Sequence, residues 1–251
     1  AEFVGCRGFG VGSGPAVVNR RRPNLLVAKL VEVRSHHEHA NIEEELRRLI
    51  LSGGAPPGTV IPPGEVADAF RVSPIPVREA LKTLVGEGLV VHQRNSGYRV
   101  SSLSTDELKE IYFVRGVLEQ AALAQAVDRV SEADIAAARG CHEQLVTATK
   151  WGDGKSFHDV SRQFHMCLTA PCAMPRLLSM FESTWNLTEP FQIMRSVSSA
   201  TQELLNADHA ALLDGFTARD VSAVLDVANT HHARLETAIL ETAGRLGLPP
   251  E

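Results

Sequence analysis

A chain of 251 residues with 44% hydrophobic residues can bury more than one ordinary core, and 5% aromatic content beside plentiful Ala, Leu, Val and Glu favours helix bundles over aromatic-rich sheets. The net charge of −5 argues against nucleic-acid binding only until it is divided: residues 1–100 carry 13 Lys and Arg against 10 Asp and Glu, the rest 12 against 20. No apolar run approaches the roughly 20 residues of a membrane helix, and Cys6, Cys141, Cys167 and Cys172 form no CxxC pair, so a reduced, cytoplasmic protein without export or membrane insertion is expected.

Residues 1–38 are read as a disordered arm, Gly-rich at first and then carrying Arg20, Arg21 and Arg22. His36, His37 and His39 fall in a polar segment before the first helix and are read as a solvated linker. From Asn41 helical spacing sets in, with Ile42, Leu46, Leu49 and Ile50 on one face and Glu43 to Glu45 in the first turn. A Gly- and Pro-rich connection follows. Glu65 to Phe70 is then a short second helix burying Val66, Ala67 and Phe70, with Arg71 and Val72 as a tight turn. Ser73 is the expected N-cap and Pro74 the first residue of a third helix, whose buried side is Val77, Ala80, Leu81 and Leu84 and whose polar side is Arg78, Lys82 and Thr83. Leu89 to His92 and Tyr98 to Val100 read as two strands joined at Asn95-Ser96-Gly97. Three helices and a hairpin, over residues 39–101, make a winged helix-turn-helix whose third helix enters the major groove.

Residues 102–247 are expected to form an all-α antiparallel bundle, so the fold class is mainly α. Ser104-Thr105-Asp106 caps a helix to about Val127, Ser131 to Asp134 resembles a capping box, and further helices span about 154–169, 174–193, 198–216 and 218–244. Cys167 and Cys172 are read as buried small hydrophobes. Arg115 and Glu119 are four apart on one helix and are expected to pair with each other or with other helices, with Arg115 facing a cavity and holding an acid as the alternative. Trp185 and Asn186 are candidate pocket residues.

The stretch from Leu49 to Val100, through ILSGGAPPGT, VSPIPVREAL, EGLV and NSGYRV, resembles the GntR family of bacterial regulators, and SLSTDELKEIYFVRGVLEQAAL looks like the opening of the FCD effector domain of its FadR-type subfamily. The resemblance implies a dimeric regulator of operator DNA, with Arg78, Lys82, Ser73, Arg71, Arg94 and Gly97 as DNA-contacting candidates. Two arginines usual in the family fall at Gly64 and Pro74, so the operator is not inferred from relatives. The sequences around His165, His209 and His231 (RQFH, NADHAALL, ANTHHARLE) resemble those of metal-binding FCD domains. There three histidines and an aspartate meet; the aspartate position here is Ser161. A divalent transition metal (zinc, nickel or manganese) on the three histidines is expected, with Asp159 and Asp208 as weaker substitutes for the missing carboxylate. His232, about 100° around the helix from His231, is expected to face solvent.

The implied effector is a small carboxylate, contacted by Arg115, Ser161 and Asn186. The alternative reading is a metal-dependent enzyme using the three histidines. No HExxH, GxSxG or GxxxxGK motif supports it, and non-enzymatic regulation is preferred.

Overall fold

The computed structural model describes residues 24–34 and 41–246. Cys6, Arg20 to Arg22, His36, His37 and His39 lie outside the described residues.

The chain begins, where described, with a helix rather than an arm. α1 spans Leu25–Arg34, starts where the Asn24 side chain accepts from the Leu26 amide at 3.0 Å, and buries Leu26 and Leu30 in the N-terminal core. Over residues 24–34 this corrects the expectation of a disordered arm; the rest of the arm lies outside the described residues. A stripe of two leucines four apart is too short to register as periodicity beside a Gly-rich segment, yet it suffices once α2 and α3 supply the other wall.

α2 (Ile42–Leu51) is capped by Asn41 and buries Leu46, Leu49 and Ile50; α3 (Pro63–Phe70) buries Val66, Ala67 and Phe70 and ends at Arg71 in the left-handed conformation, φ 54°. α4 (Pro74–Gly86) follows, with Val77, Ala80, Leu81 and Leu84 inward. Ser73 occupies the N-cap position, but its hydroxyl makes no capping bond. The wing is a three-stranded antiparallel sheet in the order β1-β3-β2, not a two-stranded hairpin. β2 (Val90–Gln93) and β3 (Gly97–Val100) pair as expected, and β1 (Val60–Ile61) joins β3 with Ile61 opposite Tyr98. Two residues cannot display alternation, which is why β1 left no trace in the sequence pattern.

Six helices make the C-terminal domain: α5 (Thr105–Ala126), α6 (Glu132–Trp151), α7 (Gly154–Thr169), α8 (Pro175–Thr188), α9 (Ser199–Ala218) and α10 (Val221–Leu246). The expected capping box of Ser131 with Asp134 forms, and the cap expected at Ser104 is itself a box, closed by Glu107. α10 packs on α9 and α5, α6 on α7 and α9, and α8 on α5. The α9–α10 turn is fixed by Arg219, whose guanidinium donates to the carbonyls of Val127 and Val130 beyond the end of α5. α8 stops earlier than expected because Pro190 cannot continue its hydrogen bonding. Two 3-10 turns follow, Glu189–Phe191 and Ile193–Ser196, with Gln192 left-handed between them at φ 50°.

Candidate functional site

Three helices deliver one imidazole each to the bundle centre. His165 on α7, His209 on α9 and His231 on α10 are buried, and one ligand atom from each lies within 4.8 Å of the others. Two carboxylates stand behind them. Glu119 Oε1 is 2.6 Å from His165 Nδ1, and Asp208 Oδ2 is 3.5 Å from His231 Nδ1 while its Oδ1 accepts from Arg234 at 2.8 Å. A carboxylate behind a ligating histidine fixes its ring and raises its basicity. Both ring nitrogens of His209 are buried without a partner.

Burial pushes the His209 imidazole well below its ordinary pKa, and the neighbouring imidazoles push it further. Burial likewise drives His231 down to about 4, despite Asp208. Both are therefore neutral near pH 7, with lone pairs free for a cation. Burial alone would raise the Glu119 carboxyl, but the charge and hydrogen bonds of His165 and His232 outweigh it and hold the group well below the usual carboxylate range. Converging, partly unsatisfied imidazoles backed by carboxylates, with His209 and His231 neutral, fit a divalent transition metal.

Ser161, one turn before His165 on α7, is buried and faces the same cavity, as its position predicted. The substitute carboxylates do not. Asp159 is exposed and paired with Lys155 at 2.6 Å, and Asp208 sits behind His231 rather than beside it. His232 corrects another expectation: it is only 15% exposed and its Nε2 lies 3.0 Å from Glu119 Oε2. The 100° step from His231 does turn it away from the cluster, but toward α5, because α10 is packed on α9 and α5 at once.

Arg115, 1% exposed, does not pair with Glu119. Its Nη2 donates to the Thr184 carbonyl at 2.6 Å and to the Thr188 hydroxyl, and its guanidinium lies 4.2 Å from the Tyr112 ring centre and 4.3 Å from that of Trp185. Nη1 has no partner, and no carboxylate among the described residues lies within ion-pair reach. Arg115, Ser161, Trp185 and the three histidines are walls of one cavity of about 10 Å³, room for about one water. Asn186 is not one of its walls, although its Oδ1 is buried without a partner. Tyr112, Thr184, Thr188 and Met194 carried no sequence signal; the first three reach the site through the packing of α8 on α5, and Met194 through the 3-10 turn that packs on α7 and α10. A larger groove of about 710 Å³ between α6 and α7, beside the exposed Trp151, gathers no comparable set of groups.

On the N-terminal head, Arg78 projects from the exposed side of α4 and makes no ion pair among the described residues. Its two conceivable partners are engaged elsewhere: Glu79 with Lys82 at 2.8 Å and Glu43 with Arg47 at 2.7 Å. Arg71, Ser73, Lys82 and Arg94 are exposed, and Gly97 opens β3 at φ 77°, a conformation that suits glycine.

The family of bacterial regulatory proteins called gntR matches residues 39–100, and the FCD domain matches residues 110–234. The Nta operon transcriptional regulator of Aminobacter aminovorans is 36% identical over 153 residues, 61% of this chain and 71% of that protein. The chain belongs to the GntR family. The HTH-type transcriptional regulator McbR of Escherichia coli (strain K12) is 29% identical over 144 residues, so that 57% of this chain spans 65% of McbR. A solved structure of E. coli McbR/YncC shares the fold with TM-score 0.69 at 24% identity, over 80% of this chain and 95% of that one. The HTH-type transcriptional repressor GlaR of the same organism is 27% identical over 194 residues, 74% of this chain and 88% of GlaR.

In this GntR chain the reading head rests on the FCD domain through the stretch that follows Trp185. Gln192 Nε2 donates to the Leu51 carbonyl at the end of α2 at 3.1 Å, and a Cβ on Gly53 would come within 2.7 Å of Gln192 Cγ. A Cβ on Gly88 would come as close to Leu187 Cδ2. Gln192 Nε2 also lies 3.0 Å from His158, which sits on the helix that carries Ser161 and His165 and contacts Glu189 at 2.8 Å.

Proposed function

We propose that this chain is a transcriptional repressor that grips double-stranded operator DNA as a homodimer and yields to a small carboxylate bound in the FCD core. The DNA side is supported by the GntR match and by Arg78, a free guanidinium on the outward face of the helix that such heads set into the major groove. GlaR, named a repressor, supports the direction of control. Phe113, Val114 and Val117, exposed along α5, support a face for a second copy.

One observation carries the effector side: His209, with two orphaned nitrogens, and Arg115, with an orphaned Nη1, open on a single cavity. Zinc, nickel or manganese held by His165, His209 and His231 would supply a Lewis-acidic centre there. With serine at position 161, no acidic side chain of the cavity wall directly answers the charge of that ion or of Arg115. An anion does, and uncompensated buried charge is strongly unfavourable. A carboxylate shared between the metal and Arg115 satisfies both. Ser161 lies within the same cavity and offers it a hydroxyl. The enzymatic reading has less support, because Glu119 and Asp208, the carboxylates behind the three clustered histidines, are both engaged and neither is free as a general base.

The test uses the full chain: elemental analysis, then fluorescence anisotropy on a duplex selected in vitro, over a salt series, with and without small mono- and dicarboxylates. Salt-dependent binding that weakens on adding an acid supports the conclusion. Absence of duplex binding at low salt overturns it.

A further inference from the structure

The tip of α4 is apolar where a DNA-facing helix usually is not. Ile75 is 70% exposed and Val72 40%, and Pro74 and Pro76 beside them are exposed as well. No other part of the described chain covers this tip. Helix N-termini meet phosphates through their free amides, yet Pro74 and Pro76 remove two of the first three N–H groups of α4. The tip is therefore poor at holding a phosphate and good at filling an apolar space.

Ile75, Arg78 and Lys82 follow one another at i, i+3 and i+7, an outward ridge opposite the buried Val77, Leu81 and Leu84. Ile75 stands first on that ridge, and the N-terminal residues of a recognition helix are those that reach base edges. The apolar group that the major groove offers is the C5 methyl of thymine. A β-branched side chain with a stiff χ1 meets it at little entropic cost. We propose that Ile75 reads a thymine methyl in the operator, beside the base contacted by Arg78. Side chains three apart on a helix stand about 5–6 Å from each other, and bases rise about 3.4 Å per step along a strand, so the thymine lies within about two steps of that base. This inference rests on the DNA-binding function proposed above.

The experiment selects duplexes with the full chain and locates the Arg78 base as the position where Arg78→Ala relaxes preference. Each nearby thymine is then replaced by uracil, which removes only the methyl. Expected for the parent chain is a loss of about fourfold at one thymine within two steps, the scale of one buried methyl-sized group. Expected for Ile75→Ala is a similar loss on the thymine duplex and equal affinity for thymine and uracil duplexes, with an unchanged melting temperature. If uracil is neutral at every thymine, or if sensitivity to it survives in Ile75→Ala, the tip has another occupant and the inference is wrong. If no duplex is bound at all, the DNA-binding conclusion itself fails, a result distinct from the other two.

Discussion

Replacing His209 by leucine separates a metal centre from three merely buried histidines. In the metal-free chain both ring nitrogens of His209 are buried without partners, and relieving a buried unpaired polar group returns about 1–3 kcal/mol. The ring packs 4.4 Å from Phe164, a contact whose loss costs about 0.5–1.5 kcal/mol. His209→Leu, close in volume, is therefore expected to leave the chelator-treated protein as stable as the parent or up to about 2 kcal/mol more stable. With metal the order reverses. A metal at about a hundred times its dissociation constant stabilises the parent by about 2.7 kcal/mol, about 5–11 °C in melting temperature for a chain of this size, and the variant by nothing. Thermal melts after chelation, and again with added zinc, nickel or manganese, measure both effects, and elemental analysis counts the metal. A parent chain that melts identically in chelator and in metal, or a variant that keeps the metal-dependent rise, would refute the reasoning.

Arg78→Ala is expected to weaken operator binding by about 1–3 kcal/mol if the arginine reads a base, while leaving the melting curve unchanged because the side chain is exposed; anisotropy titrations check it, and unaltered affinity removes Arg78 from the interface. Arg115→Met should keep or raise the stability of the ligand-free protein, since a buried charge without a counter-ion gives way to an apolar chain of similar size, and should abolish the response to any carboxylate that loosens the parent from DNA. Chelated protein should lose stability as pH falls from about 6.5 to about 4. The unfolded chain takes up protons there that buried His231 and His209 refuse, and metal-loaded protein is expected to resist until the ligands protonate. Melts across that range that are flat for chelated protein would contradict the burial of neutral imidazoles.

The six bundle helices were legible because their caps and periodicity are local properties: Ser104 with Glu107 and Ser131 with Asp134 sit three residues apart. The convergence of His165, His209 and His231 was legible only through resemblance, since spacing of 22 between the last two allows neighbouring helices without fixing which faces meet. What the sequence hid was long-range. β1 pairs with residues nearly forty positions away, α1 becomes a helix by burying two leucines against partners far along the chain, and His232 is withdrawn from solvent by a helix that starts at Thr105. Arg115 shows the same limit. Its spacing from Glu119 suggested a pair, but the threonines of α8 and the imidazoles of α7 and α10 claimed the two groups separately.

The smallness of the central cavity has a consequence of its own. The space has room for about one water, so an acid of even a few heavy atoms is far too large for it. To lodge there it has to wedge Trp185 or Met194 away from the opposite wall. The short stretch between those two residues includes Leu187 and Gln192, the side chains seated against the glycines of the reading head. A receptor with no slack in its interior cannot take in a guest quietly; the entry is already a strain on the joint.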